Sequence, residues 1–592
     1  MRSLPPVPWQ ITGNHWVTLP CIHPADASIH AISVVHAQSR GAIEFAASTS
    51  FVDGDGEPLI RFTLSSGAGR RNLGTGGIVW SRDAGWMPAF SCREGDLAIR
   101  GVVCAPHGVN ADIAGAVVEI SVENRGKSPV DIAIGADGVF GKRLLRVRSA
   151  REFGGDSRIV PGASASIVLE GAGANDPVAL AIGTLDRESS TQCLDSTWRV
   201  EQTATIPPGR MESVYFCIAV GQERDGAQAV LEVMRRRGPG NLIGSTRSAL
   251  LAMEPATGNA AADRLISRHM FFTYFCSVAR AIDDAHLYVV RSRVPWNPHG
   301  LTIRDWHALM WVMPAVQLAD STLARELLLR ICDLHGYAPG SGVHYIDGSL
   351  FEPGFSLDGA AAFPIAVDEY IVQSGDEKVV EEPLLADSLY NAADDIAARK
   401  HEKLPLYSTE VNPDGSAPKF AYTVHGNTVV ALALHILAHT LDEKTAEKVQ
   451  DAAAVRAAVL RHFAGTDQGQ KAVLVRSSSL TEGERNEEGA SAAMYWLPYY
   501  DLLGRDDSLY RRSVKPLENA ETDALFMWCA RLLGPNGSRA LDWLRRAPLD
   551  GGFAAELVDA EGRATGNGGD AALSGLIAYT AWYAVHALGV AL

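Results

Sequence analysis

Apolar and polar positions change period once along this chain. Up to about residue 221 the apolar residues come in short runs, many alternating with polar ones, and Gly, Pro, Asn and Asp punctuate them. "HAISVVHAQ", "AIEFAAS", "LIRFTLS", "LAIRGVVCAP", "AVVEISVEN", "VDIAIGADG", "SIVLEG", "PVALAIGT", "RVEQTATI" and "SVYFCIAVG" are such runs, rich in β-branched and aromatic residues. A period of two between turn signals predicts strands. So many strands at this spacing predict a large antiparallel β-sandwich over 1–221. Within it, one strand ends at Asn124 and the next begins near Val130, which reads as a hairpin.

Past Gln222 the period becomes helical. "DGAQAVLEVMRRRG" and "PGNLIGSTRSALLAMEP" predict a helical linker over 222–259. From residue 260 to 592 eleven helical runs follow: "NAAADRLISRHMFFTYFCSVARAI", "WHALMWVMPAVQLA", "TLARELLLRICDLHG", "AAAFPIAVDEYIVQSG", "EPLLADSLYNAADDIAARK", "NTVVALALHILAHTL", "TAEKVQDAAAVRAAVLRHF", "GASAAMYWLPYYDLLG", "ETDALFMWCARLLG", "SRALDWLRR" and "ALSGLIAYTAWYAVHALG". The loops leave room for one more. Some of these runs are amphipathic with charged faces. Others, "NTVVALALHILAHTL" and "ALSGLIAYTAWYAVHALG" above all, are apolar most of the way round and must be covered on every side. Alternation of half-covered and fully covered helices is what an outer and an inner ring produce. The expected second domain is therefore an (α/α)6 toroid. No residue signature recurs at a fixed period, which disfavours a solenoid.

Composition narrows the function. The formal net charge is -16 and no Lys/Arg run exceeds three residues, which disfavours nucleic-acid binding through phosphate neutralisation. The eight cysteines lack CxxC spacing and read as reduced thiols, which points to the cytoplasm. No signal-like N-terminus and no apolar stretch of membrane-spanning length appears, so no membrane partner is expected. HExxH, EF-hand and Cys/His-cluster motifs are absent, and no metal or other cofactor is expected.

In a double ring the loops at one end of the inner helices converge, so polar residues just before the most apolar helices are the informative ones. "TIRDWHALMW" places Arg304, Asp305 and Trp306 at a helix start. "FSLDGAAAF" places Asp358 at another. "YSTEVNPDGSAPKFAYTVHGN" carries Glu410, Asp414 and His425. "NEEGASAAMYW" carries Glu487 and Glu488, and "GGFAAELVDAEGRATGNGGD" carries Glu556. Each has an ordinary structural reading as well. Asp305 and Asp358 can cap helices, Asp414-Gly415 is good turn chemistry, Glu487 and Glu488 suit a helix N-terminus, and Glu556 lies in a glycine-rich loop. Carboxylates at the starts of several alternate helices in one domain suggest more. Two opposed carboxyl groups are the minimum apparatus for glycoside hydrolysis.

These segments carry a resemblance. "FEPGFSLDGAAAFPIAVDEYI", "NPDGSAPKFAYTVHGN" and "NEEGASAAMYWLPYYDLL" resemble segments of the metal-independent exo-α-mannosidases. "RDWHALMWVMPAV" resembles a helix start shared more widely, including with the glucosidase domain of glycogen-debranching enzymes. The large N-terminal sandwich is more like that of debranching enzymes, α-rhamnosidases and related phosphorylases. The resemblance is to the inverting (α/α)6-barrel glycoside hydrolase superfamily. It implies Asp414 as general acid and Glu556 as general base. Arg304, Asp305, Trp306, Asp358, Glu410, His425, Glu487 and Glu488 would then hold the sugar. Gly415 follows Asp414 where the family loop has a second acidic residue, and Glu410, then Asp358, stand in reserve for the acid.

The expected activity is exo-acting, inverting hydrolysis of an oligosaccharide or glycoside. A disaccharide phosphorylase is the alternative within the fold, with Arg476, Ser477 to Ser479 and Arg485 available for phosphate. A non-catalytic carbohydrate-binding protein is the alternative outside catalysis. A polysaccharide lyase would want a basic site, and these loops are acidic.

Overall fold

The computed structural model describes residues 4–591 except 55, 68, 155, 173–176, 187, 442–450, 467–470, 481–486 and 490, and does not describe the side chains of 172, 487 and 488. The chain divides into two compact units. The first comprises Met1–Glu254 with Phe275–Leu287 and Ser292–Leu301. The second comprises Pro255–Tyr274, Tyr288–Arg291 and Thr302–Leu592. Among the described residues no helix is long and apolar enough to cross a membrane.

The first unit is built from three antiparallel sheets of six, eight and five strands. Their inner faces share one apolar core, in which Phe62 of the five-stranded sheet meets Phe216 of the eight-stranded sheet at 5.6 Å. The strands Gly115–Asn124 and Val130–Val139 lie where the sequence predicts them, but they do not form a hairpin. The former pairs with Leu97–Cys104 and Met211–Gly221, and the latter with Thr197–Ile206 and Arg61–Ser66, in a different sheet. Both strands have nearly all-buried inner positions, so each takes a place inside its own sheet and the connection crosses the sandwich. The segment over 222–259 is helical, as its periodicity predicts. Its two helices, Arg224–Arg237 and Pro239–Met253, belong to the first unit, and the former packs on the strand Met211–Gly221.

The second unit is a ring of helix pairs, each an outer helix followed by an inner one. The outer helices are Ala260–Cys276, Ser321–His335, Pro383–Ala397, Ala452–His462, Ser508–Val514 and Gly537–Arg546. The inner segments, one to six, are the run from Asp305–His307 into Met313–Ala319, then Leu357–Ser374, Val424–Thr440, Ala492–Trp496, Leu525–Leu532 and Ala571–His586. Each inner segment packs on the next, and the sixth closes on the first. At the closure a side chain on Gly575 would stand 2.3 Å from the Trp311 carbonyl, so only glycine permits the approach. Ser508–Val514 is the twelfth helix for which the loops left room.

Burial follows the sequence pattern. Outer helix two buries Leu323, Ala324, Leu327, Leu328, Ile331, Cys332 and His335, a stripe at helical spacing. Inner helix three buries all its residues from Val424 to Leu437 except Leu432 and His435. Two prolines shape the inner ring. Pro314 follows a π-helical turn at Ala308–Val312 in the first inner segment. Pro498, which has no N–H to donate, follows a short 3-10 segment, so "MYWLPYYDLLG" is not the continuous helix that its periodicity predicts.

Inner segments two, four and six also meet through polar groups. The Tyr499 hydroxyl donates to the Glu369 carboxyl and lies 2.9 Å from the Tyr579 hydroxyl. Burial pushes Glu369 up from 4.5 to about 7, against the opposing hydrogen bond from Tyr499. Between those two values the folded state holds a proton that the unfolded chain has released, so this group's contribution to stability falls as pH rises from about 4.5 to about 7. Glu369→Gln is expected to flatten that fall. Denaturation midpoints of the two proteins should converge near pH 5 and separate by pH 8 in favour of the variant. A parallel pH dependence in both would overturn the assignment.

Candidate functional site

The N-terminal ends of the inner helices are held by short strands and side-chain caps. Ser356 accepts from the Gly359 N–H, Thr423 from Gly426 and Asp570 from Leu573. Because Ser356 caps inner helix two, Asp358 is not used as a cap. Its side chain is fully buried. One oxygen accepts from His425 Nδ1 at 2.5 Å, and the other has no hydrogen-bond partner among the described residues. Beside this pair, the Trp306 indole meets the His425 ring edge-on at 5.5 Å, and Tyr500 packs against both rings. Trp306 Nε1 likewise has no partner among the described residues, and neither does Trp496 Nε1 one inner segment further round. A buried acceptor and buried donors left unsatisfied are costly unless a ligand or water completes them. A sugar hydroxyl, which donates and accepts at once, has the matching chemistry.

A second cluster centres on Arg291, only 4% exposed. Its Nε donates to both oxygens of Asp570 at 2.9 Å, and Nη2 donates to Asp570 at 2.6 Å and to Glu556 at 3.0 Å. Nη1 faces His307 Nδ1 at 2.7 Å. A guanidinium only donates, so Nδ1 accepts, the proton of the neutral ring sits on Nε2, and Nε2 donates to the Pro413 carbonyl at 3.2 Å. The imidazole thereby has one tautomer and one orientation. Glu556, with 26% of its side chain exposed, also accepts from Asn567 Nδ2 at 2.7 Å. Its two anchors fix both carboxylate oxygens while leaving one edge open to solvent.

The loop before inner helix three reaches into this cluster. Asp414 folds it by accepting from the Ser416 N–H at 2.9 Å and hydroxyl at 2.6 Å, and Gly415 follows at φ +85°, a conformation that favours glycine. A side chain on Gly415 would stand 3.6 Å from Arg304 Nε, so Arg304 lies along the loop. Asp414 itself faces solvent.

The other sequence candidates divide. Asp305 lies at the start of the first inner segment, but both its oxygens are committed elsewhere: His335 Nδ1 donates to one at 2.8 Å, and the Gly340 N–H to the other at 2.7 Å. Burial opposes its charge, yet His344, His335 and the Gly340 N–H together hold its carboxyl below the usual range. Asp305 is thus a buried strut that fixes outer helix two, and neither a helix cap nor a group presented to the mouth. Asp305, His335 and His344 are near enough to share a cation. However, the two imidazoles stack face to face at 4.2 Å with planes 15° apart, and an ion has to lie in the plane of each ring that ligates it. Glu410 is exposed and ion-paired. It accepts from the Phe355 N–H at 2.8 Å and from Arg399 at 2.9 Å, contacts that hold it below the ordinary glutamate value and suit an ionised strut better than a proton donor. Glu487 and Glu488 form a two-residue strand beside Ser477 and Ser478, and their side chains lie outside the described residues, as does Arg485.

No protein-family model matches the sequence, and no curated protein matches it. Solved structures do. A bacterial glucoamylase complexed with acarbose aligns at a TM-score of 0.62 and 12% identity, over 99% of this chain and 94% of its own. A putative kojibiose phosphorylase from the human microbiome aligns at 0.59 and 10% identity, over 97% and 86%. The chain has the glucoamylase fold. At such identities the likeness is one of backbone architecture. It bears out the sandwich-then-toroid fold class and the (α/α)6 resemblance read from the sequence.

Two residues central to the second cluster, Arg291 and His307, were not among the sequence candidates. Arg291 sits in "LYVVRSRVPW", where nothing separates it from Arg293 two positions on. Their partners decide. Arg291 meets carboxylates, whereas Arg293 donates to the main-chain carbonyls of Asn14 and Phe275. His307 directly follows Trp306, and a helix-start histidine next to an Arg-Asp-Trp triplet was the one available signal.

Proposed function

We propose that this chain is an exo-acting, inverting glycoside hydrolase. The observation that carries the reading is the hydrogen-bonded relay Pro413–His307–Arg291–Glu556. It brings the loops bearing Asp414 and Glu556, which precede inner segments three and six, to the same end of one helical ring. The unsatisfied buried atoms of Trp306 and Asp358 at that end supply complementary contacts for a hydroxylated ring. The glucoamylase of the same fold binds acarbose, which accords with a saccharide ligand.

In this reading Glu556, oriented by its ion pair with Arg291, takes a proton from water. Asp414 gives one to the glycosidic oxygen on the other side of the sugar. An inverting pair works at a separation of about 6.5–9.5 Å, wide enough for the water. Arg304, Trp306, Asp358 and His425 grip the terminal sugar.

The test is a panel of nitrophenyl glycosides and oligosaccharides incubated with and without inorganic phosphate, with the anomer of the released sugar followed by NMR. Hydrolysis independent of phosphate and with inversion is the expected result. Glycosyl phosphate formed only when phosphate is supplied would replace hydrolase by phosphorylase, the activity in the name of the second structural neighbour. Binding with no turnover on any substrate would sink the enzymatic reading.

A further inference from the structure

Lined by none of Arg291, Trp306, Asp358, His425 and Glu556, a cavity of about 740 Å³ in the second unit falls within the roughly 300–1,000 Å³ of small-molecule sites. It lies between the segment 518–523, inner helix five, outer helix six and the stretch 558–560. Two half-buried indoles, Trp528 and Trp543, stack within its wall at 3.9 Å and 3°. Asn519, Glu521, Asp523 and Asp559 supply the polar part of the lining. Arg531 and Arg539 line it too, but both make hydrogen bonds to the protein. Arg531 donates to the Leu517 and Ala520 carbonyls, and Arg539 to Asn519. With Glu518, Glu521, Asp523 and Asp559 outnumbering Arg531 and Arg539 in the lining, the cavity disfavours an anion. Indoles with carboxylate and amide acceptors match a neutral saccharide, which offers C–H faces to aromatic surface and hydroxyl donors to oxygen.

The cavity also borders the Glu556 loop. The Val558 N–H donates to the Asp523 carbonyl at 2.7 Å and the Leu525 N–H donates to the Glu556 carbonyl at 3.0 Å. A molecule resting on Asp523, Val558 and Asp559 therefore touches backbone two residues from the carboxylate that pairs with Arg291. We infer that this cavity is a second saccharide-binding site, sharing no lining residue with the Trp306, Asp358 and His425 cluster and joined to Glu556 by those two backbone hydrogen bonds. The inference rests on the carbohydrate reading above.

Calorimetry on the full-length Glu556→Gln protein, titrated with maltose, kojibiose and α-1,6-mannobiose, tests it. At least one of these probes is expected to give two binding events. Adding Trp543→Ala should weaken one event by about tenfold or more and leave the other in place. Asp523→Asn, an exposed change that spares the core, should weaken the same event and serves if Trp543→Ala does not fold. A single event in the parent, or two events that survive both substitutions, overturns the second site. Wild-type turnover on the glycoside panel decides the parent reading separately. Turnover with a single event removes the second site alone, whereas neither turnover nor binding removes both.

Discussion

Glu556→Gln is expected to lower turnover by about a hundredfold to ten-thousandfold, the usual worth of a positioned acid or base. The fold should survive, because Arg291 keeps its contacts to Asp570 and the amide keeps the shape of the carboxylate. The companion Asp414→Asn separates the two roles. An acid matters in proportion to how poor the leaving group is. Asp414→Asn should therefore lose little on a nitrophenyl glycoside and about a hundredfold or more on a disaccharide. A base acts on water whatever the leaving group, so Glu556→Gln should lose on both substrates alike. Steady-state kinetics on the two substrate types reads this out. Full activity in folded Glu556→Gln removes the base, and equal losses on both substrates in Asp414→Asn remove the acid.

The second large effect is on stability. Arg291→Leu leaves the Asp570 carboxylate, which has no exposed side-chain surface, without its cation, and it takes a donor from Glu556 and from His307. Removing one partner of a buried ion pair costs about 3–5 kcal/mol. Asp570 keeps its cap bond to Leu573, so inner helix six should form but dock less firmly. The double variant Arg291→Leu with Asp570→Asn should recover much of the loss, since no uncompensated charge remains. Denaturant midpoints of the three variants measure this. A single-variant loss below about 1 kcal/mol would mean that water or another group already satisfies Asp570. Activity gives an independent reading. Without Arg291, both the orientation of Glu556 and the tautomer of His307 are released, so the double variant should regain stability without regaining turnover.

Legibility in the sequence varied with the range of the interaction concerned. Strand ends at Asn124 and Val130 were read correctly because Gly126 and Pro129 mark the turn locally. Their assignment to different sheets was not, since pairing is chosen by distant strands such as Thr197–Ile206 and Met211–Gly221. The exposed strand Gly69–Asn72 gives no such signal, because no buried face imposes an alternating pattern on it. The same limit governs the candidate site. Asp305 and Asp358 look alike in sequence, each opening an apolar helix. One is taken up by His335 and Gly340, and the other is left with an unmet oxygen.

Periodicity by itself determined the order of strands then helices, and the contrast between fully covered and half-covered helices that a double ring requires. Burial is imposed residue by residue on each element, so it leaves a local record. Which polar groups meet was decided only by tertiary structure. The closure of the ring at Gly575 sets inner helix six against inner segment one, and Arg291 joins Asp570 at a separation of 279 in sequence. Contacts at that separation impose no local pattern, because a hydrogen bond constrains two side chains and leaves their sequence neighbours free.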